Sequence, residues 1–60
     1  MAEERNLLTT ISGVNGTAEV YEVYDDGSTM PRYEARFGDV VRSFAAEGAA
    51  SIEASELAGA

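Results

Sequence analysis

Carboxylates and guanidinium groups are the charged side chains available to this sequence. It contains eleven Asp and Glu residues and four Arg residues, with no His, Cys or Lys. A Ser–His or Cys–His nucleophile, a phosphate-binding loop and a lysine Schiff base each need a residue type that is missing here. We therefore expect a protein that is not an enzyme, without catalytic residues and without a cofactor.

Pairs of acidic residues are the remaining candidates for metal chemistry. They occur at Glu3-Glu4, at Asp25-Asp26 and at Glu53 and Glu56. Asp25 and Asp26 lie in a turn-forming "DDGS" sequence, where Asp side chains hydrogen-bond to their own backbone. Calcium needs more oxygen ligands than this loop offers, and zinc prefers the His and Cys side chains that are missing. We expect no metal site.

Turn residues divide the chain into short segments of even size. Residues 6–12, 17–24, 32–37 and 40–44 are rich in β-branched or alternating apolar residues and predict four strands. From residue 45 onward alanine and glutamate predominate, which predicts a helix with Gly59 as its C-cap. The run "GVNG" at residues 13–16 predicts the first turn, in which Asn15-Gly16 can take the positive φ angles of a tight hairpin.

This order of elements predicts an α+β fold. We expect an antiparallel four-stranded β-meander followed by one C-terminal α-helix packed on one face of the sheet. Residues 1–60 are expected to form a single small β-β-β-β-α domain, with frayed ends at residues 1–5 and 59–60.

Arg42 is predicted to lie on an apolar face of the third hairpin. With Gly38-Asp39 as the turn, the inner row pairs Phe37 with Val40, Ala35 with Arg42, and Tyr33 with Phe44. The favoured interpretation is a structural ion pair of Arg42 with Glu22 or Glu53. Two alternatives are an anchor for a small anionic ligand and a salt bridge between subunits.

The second strand carries apolar residues on both faces. Val20 and Tyr24 lie on one face, and Tyr21 and Val23 lie on the other. A β-bulge that shifts the alternation explains this pattern, and so does a partner that covers the second face. Because a chain of 60 residues has little core of its own, we favour a homodimer.

The helix also has two apolar sides. Ile52 and Leu57 lie about 140° apart around its axis, and alanines occupy much of the remaining surface. The alternatives are a helix that packs on one sheet only and a helix that also contacts a second chain. We predict an interaction surface composed of Tyr21, Val23, Ile52 and Ala49, used for homodimerisation or for another protein partner.

The charge balance bears on environment and partners. At a net charge of −7, nucleic acid and anionic membranes are poor partners, and no apolar run is long enough to span a membrane. The lysine-free, acid-rich composition and the run "NGTAEVYEVYDDG" resemble those of small acidic haloarchaeal proteins. This resemblance implies adaptation to high salt, because the Debye length at about 1 M salt is only roughly 3 Å. The acidic amino terminus lacks the features of a secretion signal, so we expect a cytoplasmic protein.

The order of elements supports a second functional hypothesis. Residues 19–59 resemble, in topology, the three-stranded sheet and helix of AP2-type DNA-binding domains. That resemblance implies a nucleic-acid-associated regulator, for which Arg32, Arg36 and Arg42 are the candidate contacts. The favoured function remains a non-enzymatic acidic protein that acts through protein–protein interaction.

Overall fold

The computed structural model describes residues 3–60 and contains four strands and one helix. They are β1 (Glu4–Gly13), β2 (Gly16–Tyr24), β3 (Arg32–Phe37), β4 (Val40–Phe44) and α1 (Glu47–Ala58). The strands form one antiparallel sheet in the order β1-β2-β3-β4. Helix α1 packs on one face of this sheet. The predicted α+β meander with a C-terminal helix is thereby confirmed.

The β3–β4 hairpin has the register that its alternating sequence predicts. Phe37 pairs with Val40, Ala35 with Arg42, and Tyr33 with Phe44. The two-residue turn is Gly38-Asp39, and Gly38 has a φ of 58°, a conformation that favours glycine. Arg42 therefore belongs to the row that faces α1.

Alanines form most of the contact between α1 and the sheet. Ala50, Ala54 and Ala58 recur every four residues and are fully buried. They meet buried Ala18, Val20 and Ala35 from the sheet, with Ile11, Tyr33, Phe37 and Phe44 packed around them. Leu57 is half-buried, whereas Ile52 is 64% exposed. Small side chains, and not the two large apolar ones, thus bring the helix onto the sheet.

The amino-terminal end of the sheet differs from the prediction. β1 starts at Glu4, and its first residues pair with β2 as Glu4 with Tyr24 and Arg5 with Val23. Frayed structure was expected over residues 1–5, but paired strand begins within that range. Met1 and Ala2 lie outside the described residues.

The C-terminal end of α1 is capped as predicted, although frayed structure was expected there as well. Gly59 adopts the left-handed conformation, with a φ of 78°. The backbone N–H of Gly59 donates to the carbonyl of Glu56 at 3.2 Å, and that of Ala60 donates to Ser55 at 2.9 Å. These bonds form a Schellman motif, which satisfies carbonyls that the helix leaves unpaired.

The β1–β2 turn packs directly against this helix end. The backbone N–H of Asn15 donates to the carbonyl of Ala58 at 2.8 Å, and the Asn15 side-chain amide donates to Leu57 at 3.3 Å. The central turn residues are Val14 and Asn15, which places the turn within residues 13–16 as predicted, but the positive φ angles expected at Asn15-Gly16 are found at one residue only. Of that pair only Gly16 has a positive φ.

A β-bulge interrupts β1 and leaves β2 regular. The register of β1 against β2 shifts between Leu7 and Thr9, whereas the pairing of β2 with β3 runs without a shift. The bulge that was considered as an explanation for the two-faced second strand therefore lies in its neighbour. It changes which β1 residues face the helix, but it does not alter the alternation within β2.

We predict that Gly13→Ala destabilises the contact between the first hairpin and α1. A Cβ atom at Gly13 would clash with the backbone carbonyl oxygen of Ala58, so the backbone must move. The expected loss of unfolding free energy is about 1–3 kcal/mol, measured by chemical denaturation. The control is Gly48→Ala, because a Cβ atom at Gly48 would have no other atom within 4 Å. This substitution should stabilise the helix by up to about 1 kcal/mol, since alanine favours the helical conformation more than glycine does. Equal stability of the two variants would contradict the close contact at Gly13.

Candidate interaction surface

The sheet face that points away from α1, called the outer face below, carries most of the basic residues. Strand alternation places Tyr21, Val23, Arg32, Glu34 and Arg36 there, joined by Arg5 and Leu7 of β1. Three of the four arginines of the chain thus share one face. Arg42, the fourth, lies on the face that carries the helix.

A closed ring of alternating charges forms the centre of the outer face. Glu34 accepts hydrogen bonds from Arg5 and, at 2.6 Å, from Arg32. Glu3 accepts from the same two guanidinium groups, at 2.9 Å from Arg5 and 3.1 Å from Arg32. We call these four residues the charge ring. Glu34 is only 4% exposed, so its carboxylate depends on both arginines for its solvation.

Arg32 extends the charge ring to two further segments. Its Nε donates to Asp25 Oδ2 at 3.0 Å, and its Nη2 donates to Asp25 Oδ1 at 3.2 Å. Its Nη1 also donates to the Ser43 hydroxyl at 3.1 Å. Two parallel bonds to one carboxylate are the geometry that favours arginine over lysine. Arg32 therefore links the β2–β3 loop and β4 to the charge ring.

The charge ring explains why β2 is apolar on both faces. Val23 lies directly between Arg5 on β1 and Arg32 on β3, and it is fully buried. The two arginines flank Val23 on the same face, and long charged side chains commonly lay their apolar stems over such a residue. Residues of the same chain thus cover the outer side of β2 at this point, where the sequence favoured a second subunit.

Tyr21 lies beside the charge ring and contacts two guanidinium groups. Arg5 lies 5.6 Å and Arg36 lies 5.9 Å from the centre of its ring, distances at which cations are attracted to the aromatic face. Its hydroxyl donates to Glu19 at 3.0 Å. This hydrogen bond to Glu19 raises the pKa of Tyr21, and the partial burial of the phenol acts in the same direction.

The contacts with arginine lower the pKa values of Glu34 and Asp25. Burial alone would raise the pKa of Glu34, but hydrogen bonds from Arg32 and Arg5 outweigh it and hold the pKa below its usual value of 4.5. The hydrogen bonds from Arg32 likewise lower the pKa of Asp25. Both carboxylates are therefore more readily ionised in the folded chain than in the unfolded chain.

The structure divides the four residues of the predicted interaction surface between two sides of the molecule. Tyr21 and Val23 lie on the outer face, and Val23 is buried. Ile52 and Ala49 are exposed on α1, across the sheet. The four residues consequently do not form one continuous surface, because the sheet itself separates them.

The predicted ion pair of Arg42 is formed with one of its two candidates. Arg42 Nε lies 3.7 Å from Glu53 Oε2, which links β4 to α1. The Arg42 side chain is 57% exposed, so this contact is a surface salt bridge of at most about 1 kcal/mol. Glu22 belongs to the adjacent row of the sheet, where it pairs with Tyr33.

Strand β1 is an open edge of the sheet. It is ten residues long, and eight of these are exposed. Leu7 and Leu8, on either side of the register shift, are 53% and 40% exposed. Such an edge presents unpaired backbone N–H and C=O groups alongside apolar side chains.

Arg5 and Glu34 are the residues of this surface that the sequence analysis did not single out, and Glu3 was considered there only as one of an acidic pair. Arg5 and Glu34 are separated by 29 positions, so no local pattern connects them. The one available signal is Val23, an apolar residue on a strand face where the neighbouring strand supplies Arg32 and Glu34. It indicates that long charged side chains cover that face.

Within residues 3–60 there is no pocket that could enclose a small molecule. The same part of the chain has no group of acidic residues arranged to hold a metal ion. Among the described residues, α1 is too short to cross a membrane as an apolar helix. Comparisons of the chain with protein-family models, with curated proteins and with solved structures found no match.

We predict that Glu34→Gln destabilises the fold and flattens its dependence on pH. Removing the charge weakens the hydrogen bonds from two arginines, at an expected cost of about 1–3 kcal/mol. Because the folded-state pKa of Glu34 is lowered, its contribution is complete above the unfolded value near 4.5 and is lost as the pH falls through the folded value.

The measurement is the unfolding free energy between pH 7 and pH 3. The exposed Glu56→Gln makes the same change in net charge and serves as the control. We expect the control to follow the wild-type pH dependence. A Glu34→Gln variant as stable as the control at pH 7 would show that the charge ring contributes nothing.

Proposed function

We propose that this protein is a non-enzymatic protein-interaction module of a salt-rich cytoplasm, which binds by adding a strand of another polypeptide to the open edge of β1. The observation that carries this proposal is the exposure of β1 together with Leu7 and Leu8. Strand addition derives affinity from backbone hydrogen bonds and specificity from neighbouring side chains, and it requires no pocket.

The two edges of the sheet differ in a way that favours β1 as the binding edge. Natural sheets protect their edges with short strands, charges, prolines and bulges. β4 is only five residues long and carries Arg42 in its middle. β1 is twice as long, and its charges are confined to Glu4 and Arg5 at one end. Over residues 6–13 it is a neutral strand with no proline, and its bulge is the one protective feature.

The alternative of nucleic-acid binding finds less support in the positions of the arginines. Arg32 and Arg36 lie on the outer face, whereas Arg42 lies on the helix side and contacts Glu53. Arg32 is already engaged by several carboxylates. The three residues therefore do not form the continuous basic strip that a phosphate backbone needs. An anionic ligand at Arg42 would have to displace Glu53.

The test is co-purification in molar KCl with three forms of the chain. These are the wild type, Leu8→Lys at the centre of the edge, and Ile52→Lys on the exposed side of α1. Both variants add one positive charge in place of an exposed apolar residue. We expect stoichiometric association of a polypeptide, a tagged copy of this chain included, with the wild type and with Ile52→Lys, and its loss with Leu8→Lys.

Two results would contradict the proposal. One is that the same polypeptides remain bound to all three forms, which would place binding elsewhere. The other is that no polypeptide, including a tagged copy, associates stoichiometrically with the wild type. Retardation of an oligonucleotide by the wild type, weakening steeply with salt, would instead favour the nucleic-acid alternative.

The proposed adaptation to high salt leads to a separate prediction, which concerns how the melting temperature depends on KCl. The net charge of −7 on 60 residues creates self-repulsion that salt screens. We expect the melting temperature to rise as KCl increases from 0.1 to about 2 M, where the Debye length falls from about 10 Å to below roughly 3 Å. Glu56→Lys, which lowers the net negative charge at an exposed site, should reduce this rise. A melting temperature that falls with KCl would overturn the prediction.

A further inference from the structure

We propose that Asn15 is a site of spontaneous deamidation, and that this modification detaches the first hairpin from the end of α1. The proposal does not depend on strand addition at β1, because it concerns the turn between β1 and β2. Three observations carry it: the exposure of Asn15, the glycine that must follow it, and the contact of its side chain with the helix end.

The turn places a glycine directly after an exposed asparagine. Asn15 and Gly16 are both exposed. Gly16 has a φ of 133°, and a Cβ atom at this position would lie 3.2 Å from the ring of Phe37. Residues with a side chain rarely adopt such a φ, so the turn requires glycine here. Because glycine has no Cβ atom, its backbone nitrogen is open to the side chain that precedes it.

The reaction of this pair is a cyclisation followed by a hydrolysis. The backbone nitrogen of Gly16 loses its proton to a base in the solvent and attacks Cγ of Asn15. The bond from Cγ to Nδ2 then breaks, and Nδ2 takes a proton from water and leaves as ammonia. One water molecule opens the resulting cyclic imide at either of its two carbonyl carbons. The product is aspartate or isoaspartate, and no oxidant or reductant is consumed.

The contact with α1 holds the Asn15 amide in place only by a long hydrogen bond. Nδ2 donates to the carbonyl of Leu57 at 3.3 Å, whereas about 2.7–3.2 Å is typical of such bonds. Asn15 is also exposed, so that water and a base in the solvent have access to the reacting atoms. The fold therefore leaves this side chain free to react.

Either product removes the side-chain bond that joins the turn to the helix end. A carboxylate has no N–H group to donate to Leu57. It also adds a negative charge at the C-terminal end of α1, which is the negative end of the helix dipole. The last turn of α1 has no basic residue to compensate this charge. In isoaspartate the backbone is longer by one carbon, which further disturbs the pairing of Gly13 with Gly16.

Incubation of the folded wild type at mildly alkaline pH tests the reaction itself. We expect one added negative charge in ion-exchange chromatography, together with the mass increase of an amide replaced by a carboxyl group, and peptide mapping should localise both to Asn15. Asn6, the only other asparagine of the chain, is an internal control. It is exposed as well, but it lies in a paired strand and is followed by leucine. Asn15→Gln should stay unconverted, because its longer side chain cyclises far less readily.

The variant Asn15→Asp tests the effect of the modification on the fold. We expect its melting temperature in molar KCl to be lower than that of the wild type by roughly 4–8 °C. Thr29→Asp adds the same charge at an exposed position of the β2–β3 loop, and its melting temperature should stay close to that of the wild type. If Asn15→Asp fails to fold, the converted wild type, separated by ion exchange, provides the same measurement.

The two halves of the proposal can fail separately. Asn15 that stays intact in the folded chain, but converts when the chain is unfolded in denaturant, overturns the reactive site, since the turn then protects it. Equal melting temperatures of Asn15→Asp and Thr29→Asp overturn the detachment of the hairpin. Conversion at Asn15 with Asn6 intact, together with a lower melting temperature for Asn15→Asp than for Thr29→Asp, supports both.

Discussion

The burial of one carboxylate, that of Glu34, organises the side of the sheet that the helix leaves uncovered. A charge at 4% exposure is costly unless its hydrogen-bonding capacity is filled, and Arg5 and Arg32 fill it from two different strands. The same contacts join the start of β1 to β3 and, through Arg32, to the β2–β3 loop and β4. Val23 is fully buried on this face, where Arg5 and Arg32 flank it on the neighbouring strands. A charged network thus takes the place that a second apolar layer would occupy in a larger protein.

The other side of the sheet is built on a different constraint, the small size of its buried residues. Among the described residues, five of the six fully buried apolar residues in this core are alanines. Alanines let α1 approach the sheet closely, and they allow the first hairpin to reach the helix end, where Gly13 leaves room for the Ala58 carbonyl. However, each alanine buries little area, so this core contributes less than one of leucine and phenylalanine would. The helix contacts all four strands, but residues 4–10 of β1 remain exposed.

Local sequence signals predicted the elements that depend on neighbours in the chain. The register of β3 against β4 follows from strict alternation on either side of Gly38-Asp39, and the end of α1 follows from Gly59. The pairing of Arg42 with Glu53 was one of two candidates, and the structure selects it. The charge ring was not predictable in this way, because it joins residues 29 positions apart. The bulge in β1 has no glycine or proline to mark it. The first hairpin turn falls within the predicted residues 13–16, whereas the bonds of Asn15 to the helix end could not be read from the local sequence.

An open edge and a strongly acidic surface are compatible because they control different steps of association. An unprotected neutral strand would pair with many extended polypeptides, and this is the usual origin of aggregation at sheet edges. The net charge of −7 opposes any encounter between copies in dilute salt, and salt of about 1 M removes this opposition beyond roughly 3 Å. The bulge between Leu7 and Thr9 bends β1 locally, which limits the length over which a straight strand could pair with it. For the proposed strand addition, the net charge thus governs the approach to the edge, and the bulge governs how far pairing along β1 can extend.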